Sequence, residues 1–452
     1  MQYADLNLII GERQPKGYPL SAIGAGTGRA SATLPVPPVA LTAALARATA
    51  PAASPESLTK AGTLLFDWAF PAPIRTHLRL SWDRAQRDGA GLRLRLSIDA
   101  PEIASLPWEF LHDHERGHTF AASAATPLVR YFEQTDRFGG ASELATDLPI
   151  NLLLVLPATP DLDLGQERRN IEQIALATEG ALRARTLDTT VTRADLADAL
   201  LMGDYTVVHF GGHGGFIEGH GYLGLNEPDG GPDWLDGEAL ARLASNYRSI
   251  KLMVLNACES GHADDGRAFS GLAPQMVCSG IPAVVAMQFP ITDKAAATFA
   301  REFYKRLCVG DDAGQVDVAA AYARSMLTLL HPGDRSWAAP VLYTHARDGA
   351  IFTVPPRVRA GAALDPIVQR ERLAALTASL AASLQADDDW QLADVEVLES
   401  WREMTQRADE TYRAHLTHPR PEIRQAAQEG LGLVAQRLQT LDRAIAAQRG
   451  DI

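Results

Sequence analysis

The chain has 452 residues, enough for two or three domains, and its 46% hydrophobic and 21% charged residues are typical of a globular protein. Its formal net charge of −13 argues against a sequence-independent nucleic-acid surface, which needs a basic footprint. No uninterrupted apolar stretch reaches the roughly 18 residues of a membrane span.

The cysteine count and the first residues bear on the compartment. Cys258, Cys278 and Cys308 are three in number and show no CxxC spacing, which argues against a disulfide framework or a structural zinc site. The opening segment MQYADLNLII has no basic stretch followed by an apolar one, so we expect no secretory signal. Both observations favour a cytoplasmic protein.

The N-terminal third mixes strand and helix patterns. Residues 1–35 favour β structure, and the Pro/Ala-rich segment 35–57 is either a linker or a short exposed helix. LLFDWAF (64–70) predicts a buried helix. Leucines alternate with Arg93 and Arg95, a period of two that predicts a strand with one solvated face. Trp108 lies among apolar neighbours and is predicted to be a core residue.

From residue 148 onward strand and helix patterns alternate. The strands are predicted at 150–157, 183–187, 205–210, 251–258, 283–289 and 340–346, and helices near 167–177, 193–202, 236–243, 270–278, 293–307 and 314–330. Alternation of this kind predicts a mostly parallel sheet covered by helices on both faces. We therefore expect the fold class to be α/β.

The composition changes after Pro355 and Pro356. Residues 362–450 are rich in Ala, Leu, Gln, Arg and Glu at helical spacing. We expect a C-terminal helical module, which is either a cap on the preceding domain or a docking and regulatory unit. The predicted division is an N-terminal α+β region (1–147), a central domain (148–355) and the helical module (356–452).

Two apolar runs end at reactive side chains. YTVVHFGGHGG (205–215) leads to His213 and KLMVLNACES (251–260) leads to Cys258. Functional groups of open parallel sheets collect beyond the carboxyl ends of strands, and neighbouring strands lie about 5 Å apart. If these two strands are neighbours, the imidazole and the thiol can reach each other as general base and nucleophile.

The other histidines and cysteines near His213 and Cys258 fit structural roles. His209 lies inside its strand and is predicted to be a satisfied core histidine, whereas His220 is predicted to be exposed in a glycine-rich loop. Cys278 and Cys308 are predicted to lie on apolar helix faces and to be inert. A metal site of His209, His213 and Cys258 would lack a fourth ligand at zinc-like spacing, so we expect no metal. We also expect no organic cofactor.

Together these motifs resemble the CHAT family of the caspase–separase group of cysteine peptidases. The resemblance spans roughly residues 60–350. Its other segments are LRLRLSIDAPEIASLPWEFLHD (92–113), TPLVRYFE (126–133), GIPAVVAMQFPITDKAAATFAREFYKRL (280–307) and WAAPVLY (337–343). The resemblance implies a caspase–hemoglobinase-like α/β sandwich and a cysteine endopeptidase with a His213–Cys258 dyad. It also implies a bacterial defence or cell-death context and gating by a partner protein, a ligand or another signal.

The resemblance also suggests roles around the dyad. The amides of Gly214 and Cys258 would hold the oxyanion. Asp293 would contact a basic substrate residue, although an Asp there is also a natural N-cap for the helix that follows. Glu218 and Glu259 are close in sequence to His213 and Cys258 and are candidates to supplement the pocket, with surface charge as the default interpretation. The metacaspase carboxylate two residues before the cysteine is replaced by Asn256, which weakens the expectation of basic specificity.

Two further expectations concern regulation and the rival function. The glycine-rich segment 214–231 and the stretch 261–271 are predicted to be loops that reorder on activation, and Arg267 would suit self-cleavage. The expected partners are a protein or peptide substrate and an activating protein or ligand, without direct binding of nucleic acid or membrane. The alternative is a non-catalytic scaffold that has kept the fold.

Overall fold

The computed structural model covers most of the chain up to residue 353 and parts of the C-terminal region. It describes residues 2–133, 146–159, 162–178, 181–217, 220–259, 272–310 and 312–353. In the C-terminal part it describes residues 373, 374, 376–378, 380, 381, 384, 395–418 and 420–449.

The strands that carry the sequence motifs form one parallel block. In spatial order they are β10 (Leu182–Thr189), β9 (Ile150–Pro157), β11 (Val207–Ile217), β14 (Leu252–Glu259) and β15 (Ala283–Met287). All neighbours within this block pair in parallel. The carboxyl ends of the two motif-bearing strands, β11 and β14, therefore lie at the same edge of the sheet.

The N-terminal region extends the same sheet. Strand β16 (Pro340–Thr344) pairs antiparallel with β15 and is followed outward by β7 (Leu128–Tyr131), β4 (Gly91–Ile98), β1 (Tyr3–Ile10), β2 (Tyr18–Gly24) and β3 (Gly28–Leu34). From β16 to β1 the pairing is again parallel, and the last two strands are antiparallel additions. Among the described residues the sheet is thus two parallel blocks that run in opposite directions.

Three pairs of short strands complete the β structure. β12 (His220–Asn226) folds back on β11 and pairs with β13 (Pro232–Asp236). β5 (His112–Asp113) pairs with β6 (His118–Thr119), and β8 (Thr146–Asp147) pairs with β17 (Phe352–Thr353). β12 and β13 form an antiparallel hairpin, and β12 buries Leu223 and Leu225.

Helices cover both faces of the sheet. They are α1 (Val39–Thr49), α2 (Pro55–Ala69), α3 (Ala72–Arg87), α4 (Pro101–Ala104), α5 (Gly165–Ala177), α6 (Arg193–Met202), α7 (Gly237–Ser245), α8 (Leu272–Cys278), α9 (Asp293–Cys308) and α10 (Val316–Leu330). Helices α5, α9 and α10 pack with Leu152 and Val254, whereas α6, α7 and α8 pack with Leu153 and Met253 on the other face. Strands buried on both faces are continuously apolar, which explains the motif-bearing runs.

The expected α/β class with a mostly parallel sheet is confirmed. Trp108 is fully buried, as predicted. The segment 35–57 contains helix α1, but Leu41 and Leu45 bury one side of this helix, so it is not simply exposed. None of the helices in the described residues is both long and apolar enough to cross a bilayer.

The expectation of a solvated face on β4 is wrong. Arg93 and Arg95 are only 4% and 7% exposed. Arg93 forms ion pairs with Asp317 of α10 and with Asp5 of β1, and Arg95 pairs with the same Asp5. The period of two is real, but its polar side is a buried ion-pair network because α10 covers that face. Periodicity alone cannot separate a wet face from a charged but covered one.

The C-terminal helices pack on the central domain through α5. They are α11 (Val395–His415) and α12 (Pro421–Arg449), which contact each other along their length. Leu176, near the end of α5, is buried in a cluster with apolar residues of the C-terminal region, including Tyr412 and Val434. The expected C-terminal helices are present, and their contact with the remainder of the fold runs through α5.

The start of α9 corrects one expectation about Asp293. The N-cap is Thr292, whose hydroxyl accepts a hydrogen bond from the backbone amide of Ala295 at 3.3 Å. Asp293 is the first helical residue instead, so the N-cap interpretation of Asp293 is wrong. An acidic residue in the first turn still interacts favourably with the helix dipole.

We expect Thr292→Ala to lower the free energy of unfolding by about 1 kcal/mol, the usual cost of a lost hydroxyl cap. Asp293→Ala removes a helix-dipole interaction and the exposed hydrogen bond from the Asp163 amide, and we expect it to lower the free energy of unfolding by less. Urea denaturation of both variants measures the difference. A larger loss for Asp293→Ala would contradict the assignment of the cap to Thr292.

Candidate functional site

His213 and Cys258 lie opposite each other on neighbouring strands. The parallel register of β11 and β14 runs from Val207–Leu252 to Gly214–Glu259 and pairs the Cα of His213 with the Cα of Cys258. Adjacent strands lie about 4.8 Å apart, so the two residues are direct neighbours. The structure therefore brings together the two residues that the sequence singled out. The side chain of Cys258 lies outside the described residues.

The strand that carries His213 does not stop at this residue. β11 continues to Ile217 and returns as β12, so the expectation of a glycine-rich loop over 214–231 is wrong for most of that segment. The reason is the hairpin β12–β13, whose buried leucines need a paired neighbour. His213 itself is half-buried, and a Cβ at Gly224 would lie 3.4 Å from the Cβ of His213.

A buried polar network lies behind these strands. His209 is fully buried, and both of its ring nitrogens make hydrogen bonds: Nδ1 with the Tyr304 hydroxyl at 2.9 Å and Nε2 with Glu167 Oε1 at 3.0 Å. Burial and the nearby Glu167 raise the pKa of Tyr304 well above its ordinary value, so the hydroxyl stays protonated. His209 is the satisfied core histidine that was predicted.

The same carboxylate contacts the strand of Cys258. Asn256, which is 2% exposed, donates through Nδ2 to Glu167 Oε1 and to the backbone carbonyl of Ala296, the latter at 3.2 Å. Glu167 is itself 3% exposed. A Cβ at Gly211 would lie 2.5 Å from Glu167 Oε2, so only glycine admits the carboxylate at this point of β11.

Sequence reasoning missed Glu167 and Tyr304. They lie on α5 and α9, which are distant from both motifs along the chain, and neither residue belongs to a recognisable motif. A buried histidine in a strand needs partners for two ring nitrogens. That need was the one signal that pointed to acceptors and donors on the helices covering the strand.

The geometry weighs against the alternative metal site. Both ring nitrogens of His209 are occupied by Tyr304 and Glu167, so this ring has no lone pair directed at a metal shared with His213. In the described part of the chain, no group of three or more His, Cys, Asp and Glu side chains is arranged to hold a metal ion.

Asp293 lies close to the edge at which β11 and β14 end. It follows β15, the neighbour of β14, and is half-exposed. Its Oδ2 accepts a hydrogen bond from the backbone amide of Asp163 at 3.1 Å. Asp163 belongs to the segment between β9 and α5, so Asp293 ties together the connections on the two sides of the β11–β14 pair.

The remaining predicted site residues lie outside what the structure can describe. Glu218 and Arg267 are outside the described residues, and so is the stretch 261–271. Glu259 is the last residue of β14, opposite Gly214, and its side chain is not described.

The two other cysteines differ from each other. Cys308 is buried, and burial raises the pKa of its thiol to about 12, which makes it inert at neutral pH. Cys278 ends α8 and is exposed, so the expectation that it lies on an apolar face is wrong. Partial desolvation nevertheless raises the pKa of Cys278 above its ordinary value. Neither thiol has the lowered pKa that marks a reactive cysteine.

Comparison with solved structures gives distant matches. Two structures of the separase–securin complex of Saccharomyces cerevisiae match at 16% and 14% identity, each with a TM-score of 0.35. They cover 60% and 64% of this chain, but only 17% and 19% of the separase chain. The complex of pro- and mature domains of RgpB from Porphyromonas gingivalis matches at 9% identity and a TM-score of 0.38, over 66% of this chain and 70% of that one.

A search of functionally curated proteins found no match. Comparison with protein families gave a match to the CHAT domain over residues 59–398. This range contains β11 and β14 with their paired His213 and Cys258, and it covers well over half of the chain. The resemblance drawn from the sequence is therefore confirmed, and the chain belongs to the CHAT domain family.

Proposed function

We propose that the protein is a cysteine endopeptidase in which Cys258 is the nucleophile and His213 transfers protons. The observation that supports this most directly is the register that pairs the Cα atoms of these two residues on adjacent parallel strands. A nucleophile and its base must come within hydrogen-bond reach, and neighbouring positions of one sheet allow this.

In the proposed reaction, the Cys258 thiolate attacks the scissile carbonyl carbon, and the carbonyl electron pair moves to oxygen. The amides of Gly214 and Cys258 stabilise this oxyanion. When the tetrahedral intermediate collapses, the C–N bond breaks and His213 protonates the departing amine. A water molecule, deprotonated by His213, then hydrolyses the thioester, which releases the carboxylic acid and regenerates the thiol.

The dyad predicts that losing either residue abolishes turnover, because attack and proton transfer act as a unit. Cys258→Ala and His213→Ala should each lower kcat/KM on chromogenic peptides by at least about 10³-fold while retaining the wild-type unfolding midpoint. Cys278→Ala and Cys308→Ala are the matched controls and should stay active. Cleavage by purified Cys258→Ala at wild-type rate would overturn the proposal, and a wild-type chain that cleaves nothing both at rest and after activation would favour the scaffold alternative.

We further propose that Asp293 contributes to the substrate pocket and favours Arg or Lys before the cleaved bond. Its half-exposed carboxylate lies beyond β15, beside the strand of Cys258, and is not needed as a helix cap. A carboxylate in a partly dry pocket pairs strongly with a basic side chain. Glu218 and Glu259, next to the two dyad strands in the sequence, are proposed to add negative charge to the same pocket.

Asp293→Asn should therefore lower kcat/KM for substrates with Arg or Lys before the cut by about tenfold or more, since a charge-assisted contact is lost. Cleavage after uncharged residues should change much less. Thr292→Ala is the matched control, because it perturbs the same helix start and leaves the carboxylate intact. An unchanged cleavage profile in Asp293→Asn, measured with a mixed peptide library, would rule out the pocket role.

We propose that the resting form has low activity and is switched on by a partner, a ligand or a cut, in a cytoplasmic defence or cell-death setting. An unregulated endopeptidase would damage its own cell. The helices α11 and α12 are proposed as the docking surface, and their contact with α5 through Leu176 supports a link to the central domain. In this proposal residues 356–452 form a regulatory unit that is separate from the units 1–147 and 148–355.

Self-cleavage after Arg267 is one proposed form of this switch. Prolonged incubation of the intact chain should yield two fragments, one ending at Arg267 and one beginning with the next residue. Peptidase activity should rise as these fragments accumulate. Mass spectrometry of the fragments identifies the cut, with Cys258→Ala and Arg267→Gln as controls that remain intact. High and constant activity without any cut within 261–271 would exclude self-cleavage as the switch.

A further inference from the structure

A cluster of buried polar groups lies below the edge at which His213 and Cys258 pair, and the proposed reaction uses none of them. Glu167, His209, Asn256 and Tyr304 are each no more than 3% exposed. Burying polar groups costs free energy unless they find partners. The hydrogen bonds within this cluster offset that cost, and Asn256 Oδ1 is its one buried atom without a partner in the described part of the chain.

The carboxylate of Glu167 fixes the direction of the bonds that it receives. Nδ1 of His209 shares a hydrogen bond with the Tyr304 hydroxyl at 2.9 Å. Nε2 of His209 lies 3.0 Å from Glu167 Oε1, and it donates because a carboxylate oxygen accepts. Asn256 Nδ2 donates to the same oxygen. Glu167 is thus the common acceptor of two donors that lie on two different strands.

These bonds join four elements at one carboxylate. Glu167 belongs to α5, His209 to β11 and Asn256 to β14, while Asn256 also reaches the Ala296 carbonyl of α9. A second hydrogen bond links α5 to α9: Asn170 Nδ2 of α5 donates to the Ala297 carbonyl at 3.1 Å. His209 precedes His213 by four residues, and Asn256 precedes Cys258 by two. Glu167 therefore holds both dyad strands just below the reactive residues.

We propose that Glu167 is a positioning residue for the dyad: its buried carboxylate fixes β11, β14 and the start of α9 relative to one another. This inference rests on the proposed function. Glu167 contacts neither His213 nor the scissile bond in the proposed reaction, so it acts through the strands. A displacement of about 1 Å between two reacting groups can lower the rate about 10²-fold. Hydrogen bonds this close to the dyad therefore control its reaction rate.

Substitution of Gly211 is a second, independent way to displace the same carboxylate. A Cβ at this position would lie 2.5 Å from Glu167 Oε2 and 2.7 Å from a methyl carbon of Leu156. Gly211→Ala must therefore displace the carboxylate or the strand without removing any polar group. If positioning is the role of Glu167, both changes should affect the dyad in the same direction.

The test is the rate at which iodoacetamide alkylates each cysteine at pH 7, followed by peptide mass spectrometry on the intact chain. This readout needs no substrate and reports the thiolate character of Cys258. The exposed Cys278 is the internal reference. Asp317→Asn is the matched control variant, since it disturbs another buried carboxylate, paired with Arg93 of β4, several strands away from the dyad.

We expect Glu167→Ala and Gly211→Ala to slow alkylation of Cys258 by about tenfold or more, because the His213–Cys258 contact that maintains the thiolate is lost. Glu167→Gln keeps an acceptor oxygen on a side chain of the same length. Its rate of Cys258 alkylation should therefore stay within about threefold of the wild-type rate. Asp317→Asn should lower the unfolding midpoint yet leave the rate at Cys258 unchanged. For active preparations, kcat should fall in Glu167→Ala while KM changes little.

The outcomes separate the two proposals. If wild-type Cys258 reacts faster than Cys278 and Glu167→Ala slows it no more than Asp317→Asn does, the positioning role is overturned and the proposed peptidase stands. If wild-type Cys258 reacts no faster than Cys278, the activated thiol itself is absent, which overturns the proposed function and the positioning role with it.

Discussion

The fold depends on the parallel pairing of β11 with β14 in a single register. Because side chains alternate along a strand, a slip of one residue would move every side chain of β14 to the opposite face. The apolar residues of β14 are buried on both faces, with Val254 among the contacts of α5 and α9 and Met253 among those of α6 to α8. Two separate cores therefore fix this register, and with it the pairing of His213 and Cys258.

The opposed blocks of the sheet show how that central pair is shielded. A parallel block of five strands would leave β15 as an open edge, and open edges promote association with other chains. Here β16 covers β15 in the antiparallel direction, and β7, β4 and β1 extend the sheet from there. Buried Arg93 pairs with Asp317 and so holds this second block to α10, while Arg95 pairs with Asp5 of β1 inside the block. The N-terminal region is thus structurally continuous with the strands that carry the candidate site.

Much of this architecture could be predicted from local patterns in the sequence. Continuous apolar runs identified β9, β11, β14 and β15, and the alternation with helices gave their parallel arrangement. Two features could not be predicted in the same way, because each depends on what packs above a segment. The covered face of β4 depends on Asp317, and the continuation of β11 depends on the hairpin β12–β13. The cap of α9 is a local choice between two adjacent capping residues, Thr292 and Asp293, which the backbone conformation decides.

The candidate site was likewise predictable only in part. The residues expected to carry chemistry, His213 and Cys258, stand in conspicuous motifs at strand ends. Their support does not, because Glu167 and Tyr304 are ordinary helix residues until the sheet brings His209 and Asn256 against them. A single sequence shows where reactive groups lie along a chain. It does not show which distant side chains satisfy the buried polar atoms beside them.

Helix α5 takes part in two otherwise separate sets of contacts. Its first turn carries Glu167, and Leu176 near its other end is buried among residues of the C-terminal helices. At 1.5 Å per residue, these two side chains are about 13 Å apart along the axis. A packed helix transmits strain rather than absorbing it. A shift or tilt of the C-terminal helix pair would therefore displace α5 as a rigid element. The Glu167 carboxylate, which lies beneath the two reactive strands, would move with it.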